Sequence, residues 1–154
     1  MTAPSDSDAL ARKHLAQART VAVIGLSRTP DRASYQVAAY LKQQGYRIIP
    51  VNPAGGEILG EKVARGLAEI PSGVTVDIVD VFRPSEATPG VVTEAIPLRP
   101  GLIWLQEGIS SEEAQRLAGA AGIPIIMDAC ILKEHRRLAE EGAFKGLSGR
   151  GERR

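Results

Sequence analysis

The sequence has very little cysteine and almost no net charge. Its single cysteine, Cys130, cannot form an internal disulfide, and one Cys with two distant histidines, His14 and His135, cannot assemble a zinc site. The 19 basic and 18 acidic residues leave a net charge of +1, too small to attract nucleic acid or an anionic membrane. These absences favour the reducing cytoplasm as the compartment and require any anion site to be local.

Long apolar runs are also missing. No run approaches the roughly 20 residues that a membrane-spanning helix needs. Residues 1–19 are polar and include Asp6 and Asp8, so they do not resemble a secretory signal peptide. The 154 residues, 44% of them apolar, fit a single domain with a substantial core.

What the sequence does contain is a regular alternation of β-rich runs and helical periodicity. Such alternation is typical of a parallel sheet covered by helices on both faces. The five β-rich runs are residues 20–24, 47–51, 75–81, 102–105 and 124–127. They predict a Rossmann-like, doubly wound α/β fold with three layers and a five-stranded parallel sheet. We expect the runs to be ordered 3-2-1-4-5, with the switch point between the first and the fourth.

The helices are predicted from the segments between these runs. They cover residues 35–44, 86–95, 111–121 and 132–141, with a further short turn at 63–67. Gly45, Gly122 and Gly142 follow three of them, as glycines commonly do at helix C-termini. Ser110 and Ser111 offer a capping hydroxyl to the third of these helices.

The two ends of the chain differ from its centre. Residues 7–18 predict an amphipathic helix, so we interpret 1–19 as an N-terminal helical extension. Residues 20–145 form the predicted domain. Residues 146–154 contain three Gly and three Arg without periodicity and are predicted to be disordered.

The loop after the first run is the strongest indication of function. Gly25 allows a close turn, and Ser27, Arg28, Arg32 and Ser34 supply hydroxyl and guanidinium donors before the next helix. A loop of this kind presents donors to a phosphate, so the expected ligand is a nucleotide. The fingerprint G-x-G-x-x-G is absent, which argues against an ordinary NAD site. The alternative is that these are turn and cap residues, with Ser34 capping the helix.

The loops after the other runs are expected at the same edge of the sheet. Asn52 and Pro53 follow the second run, where a dinucleotide enzyme more usually has a carboxylate for the ribose. Phe82, Arg83 and Pro84 follow the third run. Their ring and guanidinium can cover an adenine and contact a phosphate. Turn chemistry and strand-end packing are the alternative explanations of both segments.

Five segments together resemble a known family. In chain order they are VAVIGLS (21–27), VNP (51–53), DVFRP (80–84), IWLQEGI (103–109) and MDACI (127–131). The set resembles the bacterial and archaeal CoA-binding protein family, from about Thr20 to Leu138. That fold is similar to the N-terminal domain of the succinyl-CoA synthetase alpha subunit. The resemblance implies a stand-alone Rossmann-like domain that binds coenzyme A, with its phosphates at Gly25, Ser27, Arg28 and Ser34.

The same resemblance implies how the rest of the ligand lies. The two residues after the second run would border the nucleotide, and the three after the third would flank the adenine and pantetheine. Gln106 and Gly108 would line the pantetheine channel. Cys130 lies in the loop after the fifth run, where its thiol could face the ligand and form a mixed disulfide with CoA. A buried, inert cysteine is the alternative.

No carboxylate pair, nucleophile or metal site emerges from the sequence, so we expect a binding module with CoA or an acyl-CoA as partner. One alternative is an NAD(P)-dependent oxidoreductase in which Arg28 and Arg32 contact a 2′-phosphate. Another is a nucleotide-binding regulatory partner of an acyl-CoA enzyme. His135 is expected to be a solvated or helix-end residue. Trp104 is expected to be part of the core.

Overall fold

A five-stranded parallel sheet is the centre of the structure, a computed structural model that describes residues 6–146. Its strands are β1 Thr20–Ile24, β2 Arg47–Val51, β5 Ile78–Val81, β6 Leu102–Leu105 and β7 Ile125–Ile126. The helices within 6–146 are α1 Asp6–Gln17, α2 Ala33–Gln43, α3 Thr88–Ala95, α4 Glu112–Ala120 and α5 Ile131–Glu140. Strands β3 Glu57–Ile58 and β4 Glu61–Lys62 form a small antiparallel hairpin after β2. The 3₁₀ turns in the same range are Leu67–Glu69, Ser85–Ala87 and Ile96–Leu98.

The core is divided into two clusters by the alternation of side chains along the strands. Val23 and Trp104 lie on the face covered by α1, α2 and α5. Ile24 and Ile103 lie on the opposite face, under α3 and α4. The strands are almost completely buried because both faces are covered. The predicted doubly wound α/β fold is thereby confirmed.

The predicted strand order is wrong. The observed order is β2-β1-β5-β6-β7, which places the five β-rich runs as 2-1-3-4-5. The switch point therefore lies between β1 and β5. Pro50 in β2 argues against the predicted order, which places this run in the interior of the sheet. Proline has no N–H to donate to a neighbouring strand, so within sheets it is found mainly in edge strands. The Pro50 carbonyl faces the outer side, where it accepts a hydrogen bond of 2.9 Å from the Ala64 N–H.

Most predicted elements exist, with shifted ends. The third and fifth runs are shorter strands than expected, β5 and β7, and residues 85–87 form a 3₁₀ turn before α3. The turn predicted at 63–67 is wrong, because Ala64 forms a parallel bridge to Val51 and the 3₁₀ turn follows it. Gly45, Gly122 and Gly142 have the positive φ angles expected after helices. The predicted disordered tail, apart from Gly146, lies outside the described residues.

The N-terminal helix packs on the main core. Leu15 of α1 is completely buried there. Arg12 and Arg137 connect α1 with the end of α5, because Asp8 accepts bonds of 2.8 Å from Arg12 and 2.6 Å from Arg137. Arg12 also lies 2.6 Å from Glu141. Hydrogen bonds from Arg12 and then Arg137 lower the pKa of the Asp8 carboxyl. None of the helices in the described region is long and apolar enough to cross a bilayer.

Candidate functional site

A cavity of about 340 Å³ opens at the carboxyl ends of β1, β2 and β5. Gly25, Pro53, Arg65 and Arg83 lie in its wall, with Glu94 of α3. The helix after β1 covers one face of the sheet and the helix after β5 covers the other, so the loops separate here. This is the topological switch point, where ligands of open α/β sheets bind. The structure thus brings Gly25, Pro53 and Arg83 together, as predicted from the sequence.

Gly25 is required by a close approach of two loops. Its φ of +81° lies in the left-handed region, and a Cβ there would be 2.4 Å from the carbonyl oxygen of Phe82. Its N–H donates to the Val51 carbonyl at 3.0 Å. Gly25 therefore lets the loop after β1 lie against the start of the loop after β5. Phe82 itself is half-buried against the core under α2 and α5.

Ser27 and Ser34 hold the loop after β1 in shape. The Ser34 hydroxyl accepts a hydrogen bond of 2.9 Å from the Ser27 N–H, and the Ser27 hydroxyl accepts one of 3.0 Å from the Thr29 N–H. The prediction that Ser34 caps the helix is wrong, because α2 begins at Ala33 and its N-cap is Arg32. The half-buried Ser27 hydroxyl still has its own hydrogen to donate to a ligand oxygen, whereas Ser34 is buried.

Two arginines of this loop are exposed. Arg28 donates from Nη2 to the carbonyl of Gly55 at 2.7 Å, which connects the loops after β1 and β2. Arg32 lies at the beginning of α2. Arg83 and Pro84 follow β5 and are exposed as well, with Arg83 in the cavity wall. Guanidinium groups from two adjacent loops therefore lie at the same edge of the sheet.

Asn52 positions the loops with both ends of its side-chain amide. Its Nδ2 donates to the carbonyl of Leu26 at 3.0 Å, and its Oδ1 accepts from the Ala54 N–H at 2.8 Å. Asn52 thereby joins the loop after β1 to the turn after β2. Its neighbour Pro53 is exposed and lines the cavity.

Gln106, Gly108 and Cys130 lie along the same edge but outside this cavity's wall. Gln106 is buried and accepts a bond of 3.1 Å from the N–H of Ile131, the first residue of α5. The Gly108 N–H donates to Asp128 at 2.6 Å. Cys130 is half-buried immediately before α5. These contacts fix the ends of β6 and β7 relative to α5.

Arg65 is a cavity residue that sequence reasoning missed. Ala64 exchanges backbone hydrogen bonds of 2.9 Å with Pro50 and Asn52, which holds the following residue beside the end of β2. Arg65 reaches the cavity wall from there. Nothing local in the sequence identifies it, because its position depends on pairing between two distant segments.

His135 is not a solvated or helix-end residue, so that prediction is wrong. It lies within α5 and is only 2% exposed. Its Nδ1 is 2.7 Å from the Tyr40 hydroxyl, and its ring stacks on Phe144 with centroids 4.6 Å apart. Trp104 is completely buried and donates from its indole to the Ala129 carbonyl at 2.8 Å, which confirms its place in the core.

The fold and the crevice define a class of protein, the Rossmann-like α/β domains with basic side chains at the switch point of the sheet. A model of one family in this class, described as a CoA binding domain, matches residues 19–136. The chain belongs to this CoA-binding domain family. The family resemblance predicted from the sequence is thus confirmed.

Relatives of similar length support this membership. The uncharacterized protein YneT of Bacillus subtilis is 41% identical over 129 residues, which cover 84% of this chain and 94% of YneT. The cell-free ID.343 protein of Thermus thermophilus has a solved structure with a TM-score of 0.80 and 44% identity. That match covers 85% of this chain and 98% of the other.

A much longer relative is an enzyme. Acetate–CoA ligase [ADP-forming] II of Archaeoglobus fulgidus is 34% identical over 97 residues. The match covers 61% of this chain but only 14% of the ligase. This chain therefore corresponds to a small part of that enzyme.

Proposed function

We propose that this protein binds coenzyme A, or an acyl-CoA, at the carboxyl edge of its parallel sheet, as a binding or regulatory module without catalytic activity. The observation that carries the proposal is the cavity at the switch point, which is lined by Gly25, Pro53 and Arg83. These residues belong to a chain of the CoA-binding domain family. The free thiol of Cys130 is compatible with the reducing cytoplasm as its location.

The chemistry of the cavity suits an anionic nucleotide. Arg83 offers forked N–H donors that match phosphate oxygens, and it is exposed at the mouth of the cavity. The Ser27 hydroxyl lies in the adjacent loop with a hydrogen to donate. Apolar wall residues such as Ile24 and Val91 offer contact area for a ring. The pyrophosphate would thus lie near the loops after β1 and β5, with the nucleoside toward β2.

The pantetheine arm would extend along the sheet edge toward β6 and β7. The polar groups there are engaged with one another, since Gln106 bonds Ile131 and Asp128 bonds Gly108. Glu107 pairs with Lys133 at 3.2 Å. These contacts order the polar groups along the path of the pantetheine arm.

Calorimetric titration tests the proposal. CoA and acetyl-CoA should bind, and NAD and NADP should bind more weakly. Arg83→Ala and Ser27→Ala should each weaken CoA binding by about 1–3 kcal/mol if they contact charged oxygens. The matched control is Arg116→Ala, which removes an exposed guanidinium from α4.

Two results would contradict the proposal. Unchanged CoA affinity in both site variants would mean that the ligand binds elsewhere. Binding of NADP in preference to CoA would favour an oxidoreductase with Arg28 and Arg32 at the 2′-phosphate. Circular dichroism of each variant would show whether a weaker affinity reflects lost contacts or lost folding.

A further inference from the structure

Two arginines from distant parts of the chain converge on one turn after β2. Arg28 comes from the loop after β1, and its Nη2 donates to the Gly55 carbonyl at 2.7 Å. A Cβ built on Gly56 would be 3.2 Å from Nη1 of Arg28. A Cβ built on Gly55 would be 3.0 Å from Nε of Arg65. The two guanidinium groups therefore flank the same pair of glycines, whose lack of side chains makes room for them.

The charges of both groups are uncompensated in the described region. Across residues 6–146, no carboxylate lies within ion-pairing distance of the Arg28 or Arg65 side chain. The nearby Glu69 accepts from the backbone N–H of Arg65 at 2.7 Å. Two cations beside the same pair of glycines repel each other, and an anion bound by both would relieve this repulsion. Both side chains are exposed, so such an anion could come from solution.

The position of this arginine pair suggests which anion it binds. In Rossmann-like domains the ribose of the adenosine lies at the end of the second strand of the fold. A carboxylate there receives free ribose hydroxyls, and an arginine there accommodates a ribose phosphate. Here the residue after β2 is Asn52, whose amide is bonded to Leu26 and Ala54. The groups that remain available are the two guanidiniums.

We propose that Arg28 and Arg65 bind the phosphate monoester on the ribose of the ligand, so that the site selects a phosphorylated adenosine. The inference rests on the proposed function, because the ribose phosphate meant is the 3′-phosphate of coenzyme A. Dephospho-CoA has the same pyrophosphate and pantetheine but lacks this group. It should therefore bind more weakly than CoA, by about tenfold or more.

Titration of two ligands against three proteins tests the assignment. The ligands are CoA and dephospho-CoA, and the proteins are the wild type, Arg65→Gln and the control Arg116→Gln. Arg65→Gln should reduce CoA affinity by about tenfold and leave dephospho-CoA affinity unchanged. The preference for CoA should persist in Arg116→Gln. Arg65→Lys should restore only part of it, because an ammonium lacks the forked donors.

The possible failures are distinguishable. If wild type binds both ligands equally, or if Arg65→Gln keeps the full preference for CoA, the phosphate assignment is wrong while CoA binding stands. Equal loss of both ligands in Arg65→Gln would place Arg65 at the pyrophosphate and also overturn the assignment. If neither ligand binds wild type, the proposed function fails and the assignment fails with it.

Discussion

The stability of an Asp80 variant relative to the wild type should increase with pH. Asp80 is completely buried in β5, in register between Val23 of β1 and Trp104 of β6. Within residues 6–146 neither of its carboxylate oxygens has a hydrogen-bond partner. Burial raises the pKa of this carboxyl well above its ordinary value of 3.8. At pH values between its unfolded and its folded pKa, the folded protein therefore keeps a proton that the unfolded chain has released.

The sign of the effect follows from proton linkage. A carboxyl with a raised pKa makes its full contribution to the free energy of unfolding below its unfolded pKa. That contribution is lost as the pH rises toward the folded pKa. Within that interval the cost grows by about 1.4 kcal/mol per pH unit. Asp80→Asn removes the titrating group, so the stability of the variant relative to the wild type should rise with pH at that rate. An unsatisfied amide would add a constant offset, which does not change the slope.

Urea unfolding at successive pH values from about pH 5 upward, followed by far-ultraviolet circular dichroism, measures this slope. Asp8 and Glu141 act in the opposite direction, because their lowered pKa values make stability fall with decreasing pH. Their contribution cancels in the difference between variant and wild type. Asp80→Val should give the same slope with a different offset. A difference independent of pH in both variants would show that the buried carboxyl is not protonated in the folded state.

Two further predictions concern backbone geometry and capping. Gly25→Ala should destabilise the fold and weaken CoA binding, because its Cβ would collide with the Phe82 carbonyl at 2.4 Å. Gly119→Ala, where a Cβ meets nothing within 4 Å in α4, should instead stabilise by about 0.5–1 kcal/mol in urea unfolding; equal effects of the two substitutions would contradict the collision. Ser111→Ala should cost about 0.5–2 kcal/mol, since the Ser111 hydroxyl accepts from the Ala114 N–H at 3.1 Å. Ser111→Asp should retain most of that stability. A Ser111→Ala variant as stable as the wild type would argue against the cap.

The candidate site was partly predictable from the sequence. Gly25, Pro53 and Arg83 follow predicted strands, and the carboxyl ends of parallel strands meet at one edge, so their common edge follows from the fold class. The direct neighbourhood of Gly25 and Arg83 does not, because it depends on the pairing of β1 with β5, which the predicted order lacks. Arg65 could not be found in this way, because it follows a bridge between Ala64 and Val51 that no local pattern indicates. The bond from the Asn52 amide to the Leu26 carbonyl was equally invisible, since it depends on how two loops lie against each other.

The sequence by itself determined the element types, the fold class and the family. Runs of Val and Ile, glycines after helices and the hydroxyl of Ser111 act on residues close in the chain, so their effects can be derived locally. Only the tertiary structure decided the strand order, the burial of His135 against Tyr40, and the placement of Arg28 and Arg65 beside Gly55 and Gly56. Each of these depends on contacts between segments far apart in sequence, which form only when the whole sheet is assembled.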